Sequence, residues 1–86
     1  MKKLAVLTTG EIEDFQPPRQ KPSGLWVDIL HFAERTTLQQ MQETTPMDHY
    51  DYVAYHSGGF VPVDALSRIV DEGAVGDLTL LRKGRR

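Results

Sequence analysis

The sequence predicts a small α/β domain, a three-stranded and mainly parallel sheet in β-α-β-α-β order with two or three helices packed on it. Three observations point there. The opening run from Lys3 to Thr8 is aliphatic, has the length of a buried strand and stops at Thr9-Gly10. The aromatic run from Tyr50 to His56 has the length of a second strand and is closed by Ser57-Gly58-Gly59. Beyond it comes a helix with both ends marked and then a short apolar run from Asp77 to Leu81. Strands alternating with helical patterns build a parallel sheet with helices on its faces.

After the first strand, residues 11 to 24 carry Pro17, Pro18 and Pro22 among charged and amide side chains, which reads as a long surface loop. From Leu25 the pattern permits two assignments. Leu25, Trp26, Ile29, Leu30 and Ala33 share one helical face, with Ser23 as a cap. Alternatively Leu25 to Leu30 is a strand, and a helix opens at Thr36 or Thr37, each followed three residues later by Gln39 or Gln40 in a capping-box arrangement. Thr44-Thr45-Pro46 ends that helix on either reading. The last helix runs from Pro62 or Val63 to Glu72, with Leu66, Ile69 and Val70 facing a core and Asp64 at its positive end. Gly73 is the expected left-handed stop, with Val75 packing back across it. Residues 1–81 form one domain and 82–86 a basic tail.

At 86 residues the core is marginal, and a partner surface often supplies the missing burial in chains this small. The hydrophobic content of 40% and charged content of 26% suit a globular domain. With no cysteine, the chain has no disulfide, thiolate metal site or thiol nucleophile, which fits a cytoplasmic location. The opening Met1-Lys2-Lys3-Leu4 superficially resembles a signal peptide, but its apolar run is short and reads better as a strand. No membrane-spanning segment, internal repeat or low-complexity tract is read. The net charge is −2 although Arg82, Lys83, Arg85 and Arg86 cluster at the end. Such a tail is read as a solvated terminus, and nucleic acid is not the expected partner.

Ligands of open parallel sheets collect beyond the carboxyl ends of strands. The ligand-binding candidates are therefore Thr9, Gly10 and Glu11 after the first strand, and His56, Ser57, Gly58 and Gly59 after the second. There, paired glycines would let backbone amides approach an anion, although Asp64 opposes a phosphate. His31, His49 and His56 match no compact ligand spacing with Asp48 or Asp51, so no metal is assigned, and no cofactor is expected. Trp26, Tyr50, Tyr52 and Tyr55 are the interface candidates, because aromatics concentrate in partner-binding patches.

His49-Tyr50-Asp51, followed by Phe60, Pro62, Asp64, Gly73 and Gly76, resembles the N-terminal region of the selenoprotein B family of glycine, sarcosine, betaine and D-proline reductases. The strand ending in Thr8-Thr9-Gly10 and the later Gln16-Pro17-Pro18 extend the likeness loosely to the start of the chain. The link from His49-Tyr50-Asp51 to Phe60 is shorter than in that family and lacks its acidic and Asn residues. The resemblance favours the strand reading of Leu25 to Leu30. It implies an α/β domain supporting reductive chemistry done by another polypeptide, since the family uses a Cys or Sec that these residues do not include. The expectation is a small subunit or accessory domain of a selenoprotein-B-like reductase, whose partners are a larger Cys- or Sec-containing subunit or copies of itself. The alternative is a stand-alone binding or regulatory protein.

Overall fold

The computed structural model describes residues 2–9, 24–62 and 64–83. Its elements in chain order are β1 (Lys2–Thr9), β2 (Leu25–Phe32), α1 (Leu38–Thr44), a 3-10 turn (Met47–His49), β3 (Tyr52–His56), α2 (Ala65–Glu72), β4 (Ala74–Val75) and β5 (Leu78–Lys83). The sheet is five-stranded and mixed, in the order β2-β1-β3-β5-β4. The expectation of three mainly parallel strands is therefore corrected. Parallel pairing holds for β2-β1 and β1-β3, while β5 runs antiparallel to both β3 and β4.

The physical reason lies in the last turn of the chain. α2 returns the chain beside the sheet, and β4 then runs parallel to β3. It is only two residues long before Gly76-Asp77 reverses it into β5, which inserts between β3 and β4. Gly76 has φ +59, the left-handed conformation that two-residue hairpin loops demand of their leading residue.

Leu25 to Phe32 is a strand, settling the alternative left open by its mixed periodicity, and α1 follows it. Thr37 and Gln40 form the capping box: the Thr37 hydroxyl accepts from Gln40 N at 3.1 Å, and Gln40 Oε1 accepts from Thr37 N at 3.0 Å. α2 begins at Ala65, later than the sequence reading placed it, and Ala65 N donates to Pro62 O at 3.0 Å at its start. Gly73 ends it at φ +78 as expected.

Two clusters cover the two faces of the sheet. Leu66 and Ile69 of α2 pack with Leu4, Val6, Ala54, Val75 and Leu78 on one face. Met41 of α1 and Tyr50 pack with Ala5, Leu7 and Val53 on the other. The central strands β1 and β3 thus bury side chains on both sides, which explains the unbroken aliphatic run of residues 4–7. A register shift between Val53 and Ala54 makes Leu81 an extra residue on β5; Leu80 packs with the cluster on the α2 side and Leu81 with the one on the α1 side, as successive strand residues do. β5 also takes in Arg82 and Lys83, which the sequence reading gave to the tail.

Candidate functional site

The carboxyl ends of β1, β3 and β4 lie together, as the parallel register requires, with Thr8 opposite His56. Both are buried. Thr8 Oγ1 lies 2.9 Å from His56 Nδ1, and His56 Nε2 lies 2.9 Å from the Gly59 carbonyl oxygen. A carbonyl only accepts, so Nε2 carries a proton. In the neutral ring, Nδ1 then accepts from the Thr8 hydroxyl. In the imidazolium, Nδ1–H donates to Thr8 Oγ1, whose own proton turns to Thr9 O at 3.2 Å. The arrangement can hold the loop after β3 against β1 in either protonation state. With His56 1% exposed, the ring braces the strand ends and presents no face to a substrate in this conformation.

The loop after β3 is strapped to the β4-β5 turn. Asp77 O accepts from Ser57 N at 3.1 Å and from Ser57 Oγ at 3.2 Å, Asp77 N donates to Phe60 O at 2.9 Å, and Asp77 Oδ2 accepts from Phe60 N at 2.7 Å. Two glycines make this close approach possible. A side chain at position 59 would overlap the Asp77 carboxylate, and one at 76 would lie 2.6 Å from Phe60 O. Gly58, at φ +97, supplies the reversal. At Gly59 the backbone room read as part of an anion cradle is filled by the carboxylate of Asp77, which the sequence reading did not single out, while the space at Gly58 stays open. The Gly-Asp pair between apolar residues was the available signal, a two-residue hairpin loop that carries Asp77 to the strand ends.

Of the other candidates, Thr9 is half-buried at the end of β1, while Gly10 and Glu11 lie outside the described residues. Of the residues matching the family pattern, Tyr50, Asp51, Pro62, Asp64, Gly73 and Gly76 have structural duties. Tyr50 is buried and its hydroxyl donates to Asp28 Oδ2 at 2.9 Å. Asp51 joins β1, its N donating to Lys3 O at 2.9 Å and its Oδ2 accepting from Lys3 N at 2.9 Å. Pro62 opens the turn into α2, Asp64 precedes that helix and pairs with Arg68, and Gly73 ends it. His49 is exposed on the 3-10 turn, and Phe60 is 71% exposed beside the strap.

The interface candidates do not form one patch. Trp26 is 53% exposed and donates from Nε1 to Asp28 Oδ1 at 2.6 Å, so Asp28, another residue the sequence reading missed, gathers Trp26 and Tyr50. Burial, then the hydrogen bond and negative charge of Asp28, push the Tyr50 hydroxyl pKa up. Tyr52 and Tyr55 are half-buried against opposite faces of the sheet.

Among the described residues, no group of three or more His, Cys, Asp or Glu could hold a metal, and no helix is long and apolar enough to cross a membrane. No buried side-chain nitrogen or oxygen among them lacks a hydrogen-bond partner. A depression of about 200 Å³ lies at the other end of the sheet, between Lys2, Leu25 and Tyr52 on the strands and Leu66, Ser67 and Val70 on α2. Comparison of the chain with protein-family models, curated proteins and solved structures finds no match.

Proposed function

We propose that this chain is a partner-binding accessory domain that performs no thiol chemistry of its own. One contrast carries the reading. Inside, the described buried polar side chains are all satisfied, whereas outside two large apolar side chains, Trp26 and Phe60, are left in water. An interior with no orphaned polar group asks for no small ligand, while exposed aromatics are the residues that anchor interfaces. Phe60 is held for that purpose by the Asp77 strap, which orders its backbone before any partner arrives.

The finer reading is a small subunit of a selenoprotein-B-like reductase, set beside the larger chain that bears the Cys or Sec. Its support is the residue pattern from His49 to Gly76 together with the lack of cysteine. Because most of the matching residues hold the fold, that pattern speaks for a shared scaffold, and the reducing group belongs to the other chain. The test is reconstitution. With glycine, sarcosine, betaine or D-proline and a dithiol, the chain alone should turn over nothing. Added to a larger reductase chain it should change that chain's rate. Turnover by the chain alone, or no effect on any of the four reactions, would defeat the reductase reading.

A further inference from the structure

β2 is the long outer strand of the sheet, and the hydrogen bonds of β1 decide which of its groups face outward. Lys2 N donates to Gly24 O, whereas Lys3 O accepts from Asp51 N on the β3 side. Alternate residues of β1 starting at Lys2 therefore turn toward β2. In a parallel ladder each residue bonds to the two neighbours of its partner, and the partner of Lys2 is Leu25. Hence Trp26, Asp28 and Leu30 bond inward, while Val27, Ile29 and His31 turn N–H and C=O to the outer edge. Among the described residues no strand meets them.

Among the described residues the edge also lacks the devices that blunt such strands. β2 holds no Pro, Gly, Lys or Arg, and all 8 of its residues pair with β1 without a bulge. Its one carboxylate, Asp28, is turned to Trp26 Nε1 and the Tyr50 hydroxyl.

We infer that two copies of this chain pair β2 to β2, antiparallel about a two-fold axis, into one continuous sheet. The strand is complementary to itself. An axis normal to the sheet keeps like faces together, so opposed residues share a face and outward groups meet outward groups. An axis at Asp28 or at Ile29 keeps more of the 8-residue strand paired than any other. At Asp28 the two carboxylates would face each other in the closest type of cross-strand pair, which like charges oppose. At Ile29 the Asp28 side chains separate to face Leu30 of the second copy, and Val27 meets His31. The axis at Ile29 is the one the side chains favour. At the sheet's other end, β4 has two residues and offers no comparable edge.

The experiment is sedimentation velocity over a concentration series, with amide exchange read by NMR at the same concentrations. The expected result is a monomer-dimer equilibrium in which the amides of Val27, Ile29 and His31 gain protection as dimer forms, while those of Asp28 and Leu30 are protected already in the monomer. His31→Pro removes an outward donor at an exposed position and should raise Kd tenfold or more. The wild-type exchange pattern stands as a test even if that variant misfolds. A monomer at every concentration overturns the inference, as does a dimer whose Val27, Ile29 and His31 amides stay open. A monomer that still binds a reductase chain refutes this dimer and leaves the accessory reading standing. A dimer that binds none does the reverse.

Discussion

The carboxylate of Asp77 occupies the space that a side chain on Gly59 would need, and the same carboxylate accepts the Phe60 amide at 2.7 Å. Gly59→Ala should therefore destabilise the domain by roughly 1–3 kcal/mol, the usual range for losing such a hydrogen bond with some strain. In an Asp77→Ala background the same substitution should cost much less, because the obstructing oxygen is gone. Urea unfolding of the four species measures the coupling, and additive effects would refute the contact.

His56 joins Thr8 on β1 to Gly59 in the next loop. Its neutral ring should be the Nε2–H tautomer, read from the two ring nitrogen shifts in an NMR spectrum, whereas an Nδ1–H ring would contradict the bond to Gly59 O. His56→Ala should cost roughly 2–4 kcal/mol, from the cavity and from the Thr8 hydroxyl and Gly59 carbonyl left behind.

Gly73 ends α2 at φ +78 with open space around the position of a side chain. Gly73→Ala should then cost about 1 kcal/mol from backbone conformation alone, since no neighbour has to move. A neutral effect in thermal unfolding would argue that the helix end relaxes.

Tyr50 supplies the pH dependence. Its hydroxyl pKa is raised above the ordinary 10.0 by burial first and by Asp28 second. A raised value means that the folded state holds the proton more tightly than the unfolded chain. The stabilisation is fully present below about pH 10 and is lost as the pH climbs through the folded value. Tyr50→Phe should flatten this alkaline limb while costing about 1 kcal/mol at neutral pH, through the lost bond to Asp28. Unfolding free energies at pH 7 and across the alkaline range measure both effects.

How much of this was legible in the sequence depended on whether a segment's burial is one-sided. β1 and β3 lie inside the sheet with both faces covered, so their apolar runs marked them plainly. β2 carries apolar residues on both faces and a single Asp28, so neither a two-residue nor a helical period wins, and strand and helix remained open. α1 was marked by Thr37 and Gln40, and the end of α2 by Gly73, because caps answer local backbone needs. β4 was invisible for the opposite reason. Two residues, Ala74 and Val75, carry no period, and the strand exists only because the Gly76-Asp77 turn lays β5 against it. That hairpin overturned the parallel three-stranded expectation and brought Asp77 to the strand ends, where Gly58 and Gly59 alone had suggested room for an anion.

The role proposed for this domain is to bind a larger chain through its exposed aromatics. Titration calorimetry of the purified chain into the larger Cys- or Sec-bearing subunit of such a reductase tests it most directly, with Phe60→Ala and Trp26→Ala run alongside. Saturable binding is expected, weakened at least tenfold, or about 1.4 kcal/mol, by one of the two substitutions. No measurable binding, or binding that neither substitution weakens, would contradict it.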